Sequence, residues 1–306
     1  MKHWIQAARL RTLPLSVSGI LVGSFYAMSQ SYFNWKIIGF ALLTTIGLQV
    51  LSNFANDYGD GVKGTDNEDR VGPKRTIQSG LISPSQMKNA MFITACITLI
   101  FALLLIYVSF KNQYIYYSLF FLFLGIVAIG SAIKYTVGKN PYGYRGFGDV
   151  FVFIFFGLVS TYGVYFLYTK TWDWILLLPS IAIGLLSVGV LNLNNMRDEE
   201  SDKKVGKNTL VVMMGRAKAK MYHSFLIVVS ILCLTIFGLL KGFAFDQYLY
   251  VIGFLPLISH LIRVHKTHDP KNLDPELKRL ALTTFLISIL LSLCLIYFIS
   301  DIIMRS

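Results

Sequence analysis

The sequence predicts an all-α polytopic membrane protein of nine transmembrane helices with a cytoplasmic N-terminus. Three observations predict it. Of 306 residues, 55% are hydrophobic and only 14% charged, whereas a soluble domain devotes about a quarter of its residues to charge; mean hydropathy is +0.59. Long apolar runs recur, as in Leu99–Phe110, Tyr114–Ile133, Val150–Leu167 and Leu280–Ile299, and roughly 20 such residues cross a hydrocarbon core as a helix. The basic residues, finally, segregate to one side of the spans these runs define.

Spans are expected near 13–32, 36–56, 90–110, 113–133, 149–168, 174–195, 222–240, 246–263 and 280–303. The first follows Lys2, Arg9 and Arg11 as a signal sequence would, but its apolar stretch is long and other spans follow, so it reads as a retained helix. Pro14 sits near its start, where a missing N–H costs nothing. Gly19 and Gly23 form a G-x-x-x-G face suited to close helix packing. Pro179 and Pro256 lie inside expected spans, where a helix can kink if neighbours satisfy the freed carbonyl. Pro84, Pro141, Asp269-Pro270 and Asp274-Pro275 punctuate inner connections. Cys96, Cys233 and Cys294 lie far apart in apolar spans and read as small buried hydrophobes, without metal or redox spacing. His3, His223, His260, His265 and His268 show no ligand or triad spacing either. No linker divides the chain, so residues 1–306 are expected to form one membrane domain.

With these spans, 23 of the 28 basic residues fall on the side of the N-terminus, leaving Lys36, Lys111, Lys170, Lys241 and Arg305 opposite. The positive-inside rule makes the first side cytoplasmic. The net charge of +12 is then a topology signal, which removes the nucleic-acid reading. Outer connections are short and inner ones long, so chemistry is expected inside.

Two motifs stand there. One runs Asn53-Phe-Ala-Asn56-Asp57-Tyr-Gly-Asp60-Gly-Val-Lys63-Gly64-Thr65-Asp66, the other Asn192-Leu-Asn194-Asn195-Met-Arg197-Asp198-Glu199-Glu200-Ser-Asp202 through Lys207. Asn56-x-x-x-Asp60 and Asn194-x-x-x-Asp198 repeat at equivalent points of the topology, and an i, i+4 pair shares one helical face. Acids at apolar helix ends are costly and usually mark a functional path. Magnesium takes a few carboxylates plus substrate phosphates, so facing Asp-rich helix ends suit a diphosphate gripped through metal ions. Asp60, Asp198 and Asp202 are the foremost candidates, with Asp57 and Asp66 behind them. Glu68, Asp69, Glu199 and Glu200 read as solvated loop acids. Lys74, Arg75, Lys139, Arg145, Arg197 and Lys207 are available for the phosphate oxygens, although each alone also serves topology. Asp149, after Gly146-Phe-Gly148, is either a helix cap or a site residue.

At these motifs the sequence resembles the UbiA superfamily of intramembrane aromatic prenyltransferases, and more narrowly its 1,4-dihydroxy-2-naphthoate branch. The resemblance rests on Leu51 through Asp60, Lys63-Gly-Thr-Asp66, Asp69-Arg-Val-Gly-Pro73, Tyr135 through Tyr142, Gly146-Phe-Gly-Asp149, Asn194 through Asp202 and Gly206-Lys-Asn-Thr-Leu210. Gly64 stands where the superfamily's first motif carries its last Asp, and Asp66 follows two residues later, as in the naphthoate branch. The resemblance implies a helical bundle with a lipid-facing central cavity and a cytoplasmic cap. A polyprenyl diphosphate would bind there through two magnesium ions held by Asn56, Asp60, Asp198 and Asp202, with Asp57, Asp66 and Asn194 or Asn195 assisting. Lys74, Arg75, Lys139, Arg197 and Lys207 would contact the diphosphate, and Tyr135 and Lys139 would stand near the developing allylic cation. The implied reaction prenylates 1,4-dihydroxy-2-naphthoate with loss of carbon dioxide and diphosphate, in menaquinone biosynthesis at a bacterial inner membrane, with no obligate protein partner. Other acceptors, such as 4-hydroxybenzoate or homogentisate, are the alternative. A transporter would place polar groups at the bilayer midplane, whereas these acids gather at one face.

Overall fold

The computed structural model describes residues 2–65, 72 and 75–305; the side chains of Arg11 and of 298–305 are not among what is described. Every regular element among these residues is helical. In chain order they are α1 Lys2–Ala8, α2 Leu13–Ser29, α3 Trp35–Lys63, α4 Pro84–Phe110, α5 Ile115–Lys134, α6 Gly148–Thr169, α7 Leu177–Lys204, α8 Leu210–Met214, α9 Arg216–Lys241, α10 Phe254–Lys266 and α11 Asp274–Arg305.

Local sequence accounts for the helix ends. Asn34 caps α3 by accepting from Lys36 N at 2.9 Å, and Gly64 closes it in the left-handed region, φ 71°, where a side chain would be strained. Ser83 and Gln86 form a capping box ahead of α4, with Pro84 in its first turn. Pro179 and Pro256 each fall in the first turn of a helix, α7 and α10. Those N–H positions have no intrahelical partner, so both prolines fall at helix starts and not in the interior of a span as expected.

Seven helices among the described residues are long and apolar enough to cross a membrane, against nine expected spans. Expected span 13–32 is realised as α2, whose 17 residues extend about 25 Å. Expected span 246–263 is broken: a 3₁₀ turn at Leu249–Gly253 precedes only 13 residues of α10. Pro256 accounts for this, because a helix does not extend backward past a proline without losing a hydrogen bond.

The bundle is turned outward as lipid requires. Only Ala128 and Ser131 of α5 are buried, while Tyr116, Phe120 and Phe123 stand exposed. Cys96 lies on the exposed face of α4, contrary to expectation; Cys233 and Cys294 are buried. The helix α2 packs on α3, α6 and α11 and closes the bundle. Its G-x-x-x-G face makes that possible: a Cβ on Gly23 would lie 2.2 Å from the Thr161 carbonyl oxygen, and one on Gly19 2.0 Å from Ser160 Oγ. The facing stretch of α6, Phe153–Gly163, is π-helical, and it lines the interior cavity.

Candidate active site

Both motifs end long helices, α3 and α7, and the chain folds back over each. After α3 the returning segment places Thr76 on Asp57: the Thr76 N and Oγ1 donate to Oδ2 at 3.2 and 2.5 Å, and Ile77 N to Oδ1 at 3.4 Å. Asp57 therefore holds this turn in place with both oxygens. The turn brings Arg75 Nη1 within 3.0 Å of Asp60 Oδ2. Gly64 ends α3 in the left-handed region, at the position where the superfamily's first motif carries its last acid.

After α7, Gly206 turns through φ 73°, and Lys207 N returns to Asp202 O at 2.8 Å. That places Lys207 Nζ 3.3 Å from Asp202 Oδ1. Asn208 N then donates to Tyr144 O at 3.1 Å, and Thr209 caps α8. Each residue of Gly206-Lys-Asn-Thr thus has a geometric task.

Tyr144 joins the two motifs. Its hydroxyl donates to Asp60 Oδ1 at 2.8 Å and lies 2.7 Å from Thr65 Oγ1. Lys63 and Lys207 stand over its ring, their Nζ atoms 4.4 and 5.6 Å from the centroid. A continuous path therefore runs Asp60, Tyr144, Lys207, Asp202. Burial alone would lower the Lys207 ammonium, but the Asp202 and Asp60 carboxylates outweigh it and hold its pKa above the ordinary lysine value. Burial, and next the Asp60 carboxylate, raise the Tyr144 phenol, so it stays a donor.

Asp198 is held from its own helix. Arg197 Nε and Nη2 donate to Oδ1 and Oδ2 at 2.8 and 2.7 Å, Nη2 also to Asn194 Oδ1 at 2.9 Å, and Nη1 to Asp274 Oδ1 at 2.5 Å. The Arg197 guanidinium, expected among the diphosphate contacts, is engaged by protein on all sides. Arg216 pairs with Glu199 at 3.0 Å, so that acid, expected as a solvated loop residue, lies within α7 and is ion-paired.

A cavity of about 310 Å³ begins beside Asn56 and Tyr135 and continues between α2, α3, α4, α5 and α6 toward Ile106 and Leu167. Its walls are mostly apolar, with Gln49, Ser52, Asn53 and Asn56 together at one end and single hydroxyls such as Thr44, Thr45 and Ser160 elsewhere. Thr136 Oγ1 donates to Asn56 Oδ1 at 3.2 Å. The Tyr135 ring stacks edge-on to Tyr142, centroids 5.3 Å apart, and a Cβ on Gly148 would lie 3.2 Å from its hydroxyl. Burial, then Asp149 and Asp60, raise the Tyr135 phenol. Asp149 is no helix cap: it lies inside the first turn of α6, and its Oδ2 accepts from Tyr222 at 3.1 Å.

Asn56, Asp57, Asp60, Arg75, Tyr135, Asn194, Asn195, Arg197, Asp198, Asp202 and Lys207 all belong to this end of the bundle. Lys139 and Arg145 are exposed on the same inner segment, and no contact joins them to the acids among the described residues. Asp66 and Lys74 lie outside the described residues. Tyr144, Thr76 and Asp274 were not singled out in sequence; their only signal is a partner 84, 19 or 77 residues away. The histidines, expected to be unorganised, include a buried chain: His223 Nε2 lies 2.8 Å from His260 Nε2, and His260 Nδ1 lies 2.6 Å from Glu276 Oε2.

No three carboxylate, imidazole or thiol groups converge as a ready metal cage among the described residues. The donor set nonetheless suits a hard cation. Asp202 Oδ2 and Asn195 Oδ1 are buried without a hydrogen-bond partner, both are oxygens, and both project from α7. Magnesium completes its octahedron with substrate phosphate and water, so a sparse oxygen set fits.

The sequence model of the UbiA prenyltransferase family matches residues 16–290. The 1,4-dihydroxy-2-naphthoate octaprenyltransferase of Haemophilus influenzae is 43% identical over 97% of this chain and 96% of its own length. That of Escherichia coli is 41% identical over 90% and 89%. In structure, a UbiA homolog from Archaeoglobus fulgidus bound to DMAPP and Mg2+ matches with TM-score 0.67 at 15% identity, covering 97% of this chain and 99% of that one. A homolog from Aeropyrum pernix K1 matches with TM-score 0.70 at 14% identity, covering 94% and 98%. Those two likenesses establish a common fold. With the family model spanning almost the whole bundle and relatives this similar along nearly their full length, the chain belongs to the UbiA prenyltransferase family.

Proposed function

We infer that this membrane enzyme transfers a polyprenyl group from its diphosphate to 1,4-dihydroxy-2-naphthoate, releasing diphosphate and carbon dioxide and leaving the quinol form of demethylmenaquinone. The observation that carries the reading is the junction of the acidic cap with the apolar cavity. Asp60 and Asp202 are linked through Tyr144 and Lys207 where the cavity opens at Asn56 and Tyr135. A diphosphate head and an isoprenoid tail require that same pairing of environments. The acceptor follows from the naphthoate prenyltransferases that match over nearly the full chain.

The residues divide as follows. Asn56, Asp60, Asp198 and Asp202 would hold magnesium, two ions being expected, with Asn194 and Asn195 as neighbouring oxygen donors. Bound by these residues, magnesium would supply neutralisation of the charge developing on the departing diphosphate. Arg75 and Lys207, which face Asp60 and Asp202, turn their donors to the diphosphate oxygens, and Lys139 and Arg145 approach from the exposed side. Asp57 keeps Arg75 in place through the Thr76 turn. When the C–O bond breaks, its electron pair leaves on the diphosphate, and the Tyr135 face stands at the cavity mouth to stabilise the allylic cation. The apolar walls exclude water that would capture that cation. The ring carbon then forms the new bond, and its carboxylate leaves as carbon dioxide.

We read the chain as one domain crossing the inner membrane of a bacterium nine times. This count takes α2 and the broken segment Leu249–Lys266 as crossings, and the charge distribution puts the acidic cap in the cytoplasm. The cavity would face lipid and admit the prenyl tail from the bilayer. The test is prenyl transfer by membranes containing the protein, supplied with polyprenyl diphosphate and magnesium, with 1,4-dihydroxy-2-naphthoate and 4-hydroxybenzoate in separate reactions. Product and carbon dioxide from the naphthoate alone are expected. Product from the benzoate alone would overturn the acceptor and keep the site.

A further inference from the structure

Asp274 opens α11, 77 residues beyond Arg197, and its Oδ1 accepts from Arg197 Nη1 at 2.5 Å. The remaining nitrogens of that guanidinium hold both oxygens of Asp198. Arg197 is 2% exposed, so it has no solvent to turn to when its partners change. Asp274 is itself braced. Two residues on, Glu276 accepts from His260 at 2.6 Å, from Arg263 at 2.7 Å and from Arg279, fastening the first turn of α11 to α10.

We propose that Asp274 is a positioning residue of the diphosphate site, acting through Arg197 to set the Asp198 carboxylate and to draw the guanidinium off it when a divalent cation binds. The proposal rests on the reading of Asp198 as a magnesium ligand. An arginine that grips a carboxylate with two hydrogen bonds competes with a metal for the same lone pairs. A second carboxylate on the far side of the guanidinium divides its pull and gives it a partner to keep. That carboxylate, itself partly exposed, also adds negative charge beside the buried Arg197–Asp198 pair, where Coulomb interactions are stronger than in water. Removing its charge leaves Arg197 leaning on Asp198 and makes the surroundings more repulsive to Mg2+. Both effects weaken cation binding.

The test uses the full chain purified in detergent, without turnover. Mg2+ is titrated at fixed inorganic diphosphate, and the rise of the thermal unfolding midpoint, followed by tryptophan fluorescence, gives the half-saturating concentration. Asp274→Asn is expected to raise that concentration about 10- to 100-fold, the range for partners that orient metal-binding carboxylates. Asp274→Glu, which keeps the charge, is expected to stay close to the unaltered protein. Asp173→Asn removes a carboxylate held by Tyr26 and Gln30 at the other end of the bundle; it should lower the midpoint and leave the half-saturation alone. An unchanged half-saturation in Asp274→Asn overturns the proposal, as does an Asp274→Glu variant equally weakened, since packing and not charge would then be the cause. If the Asn variant does not fold, Asp274→Ser supplies the same comparison. An unaltered protein whose midpoint ignores Mg2+ with diphosphate would instead overturn the underlying site reading, a result distinct from the other two.

Discussion

Replacing Tyr144 by Phe isolates the link between the two motifs. The Tyr144 hydroxyl lies 2.8 Å from Asp60 Oδ1 and 2.7 Å from Thr65 Oγ1. A phenol has one proton and an ionised carboxylate only accepts, so the proton points to Asp60 and Thr65 donates back. The substitution removes one hydrogen bond to a charged group, which contributes about 1.5–3 kcal/mol. If that energy orients Asp60 for the transition state, then at 1.36 kcal/mol per tenfold kcat/KM falls by about 10- to 150-fold. The ring remains, so Lys63 and Lys207 keep an aromatic face beneath them. Asp60 also keeps Arg75 at 3.0 Å, so the fold should survive. The assay is kcat/KM for polyprenyl diphosphate with 1,4-dihydroxy-2-naphthoate, beside the thermal unfolding midpoint in the same detergent. A kcat/KM within about twofold of the unaltered protein, below the range expected for a charged hydrogen bond, would refute the bridging role. A collapse in midpoint matching the loss of activity would make the role structural.

Asp60→Ala and Asp198→Ala should each lower turnover by at least about 10²-fold, the cost of losing one preorganised electrostatic group, while size-exclusion profiles in detergent stay normal; normal turnover in either would remove that residue from the site. Arg197→Met leaves the Asp198 and Asp274 carboxylates facing an apolar group, and breaking a buried pair costs roughly 3–5 kcal/mol, seen as a lowered unfolding midpoint. Gly23→Ala should destabilise by about 1–3 kcal/mol, because its Cβ would meet the Thr161 backbone at 2.2 Å. Gly39→Ala, with nothing within 4 Å of its added carbon, should be neutral or stabilise by up to about 1 kcal/mol; equal midpoints for the two glycine variants would refute the packing argument. Chelation should abolish transfer and added Mg2+ restore it, measured as product formed per minute.

Much of this site could be read from one chain because its chemistry is local. Asn56-x-x-x-Asp60 and Asn194-x-x-x-Asp198 reach the same helical face by helix geometry, and acids at apolar helix ends mark themselves by their cost. Gly19 and Gly23 announced a close helix contact for the same reason, since periodicity is a property of neighbours along the chain. Helix continuity was less legible. Whether residues 246–263 run unbroken depends on where Pro256 falls in its turn, and hydropathy is blind to that.

Composition, apolar run length and charge asymmetry determined that this is a helical membrane protein with most of its acids gathered at one end. Those are sums over short stretches of chain, and no folding is needed to evaluate them. Folding alone assigned partners: Tyr144 to Asp60, Lys207 to Asp202, Asp274 to Arg197, His223 to His260, and His260 to Glu276. Most of these join different helices or the loops between them, separated by tens of residues. A side chain's charge and hydrogen-bonding capacity are written in its residue type, but the group that answers it is set by how helices pack, and bundle packing is a property of the whole chain.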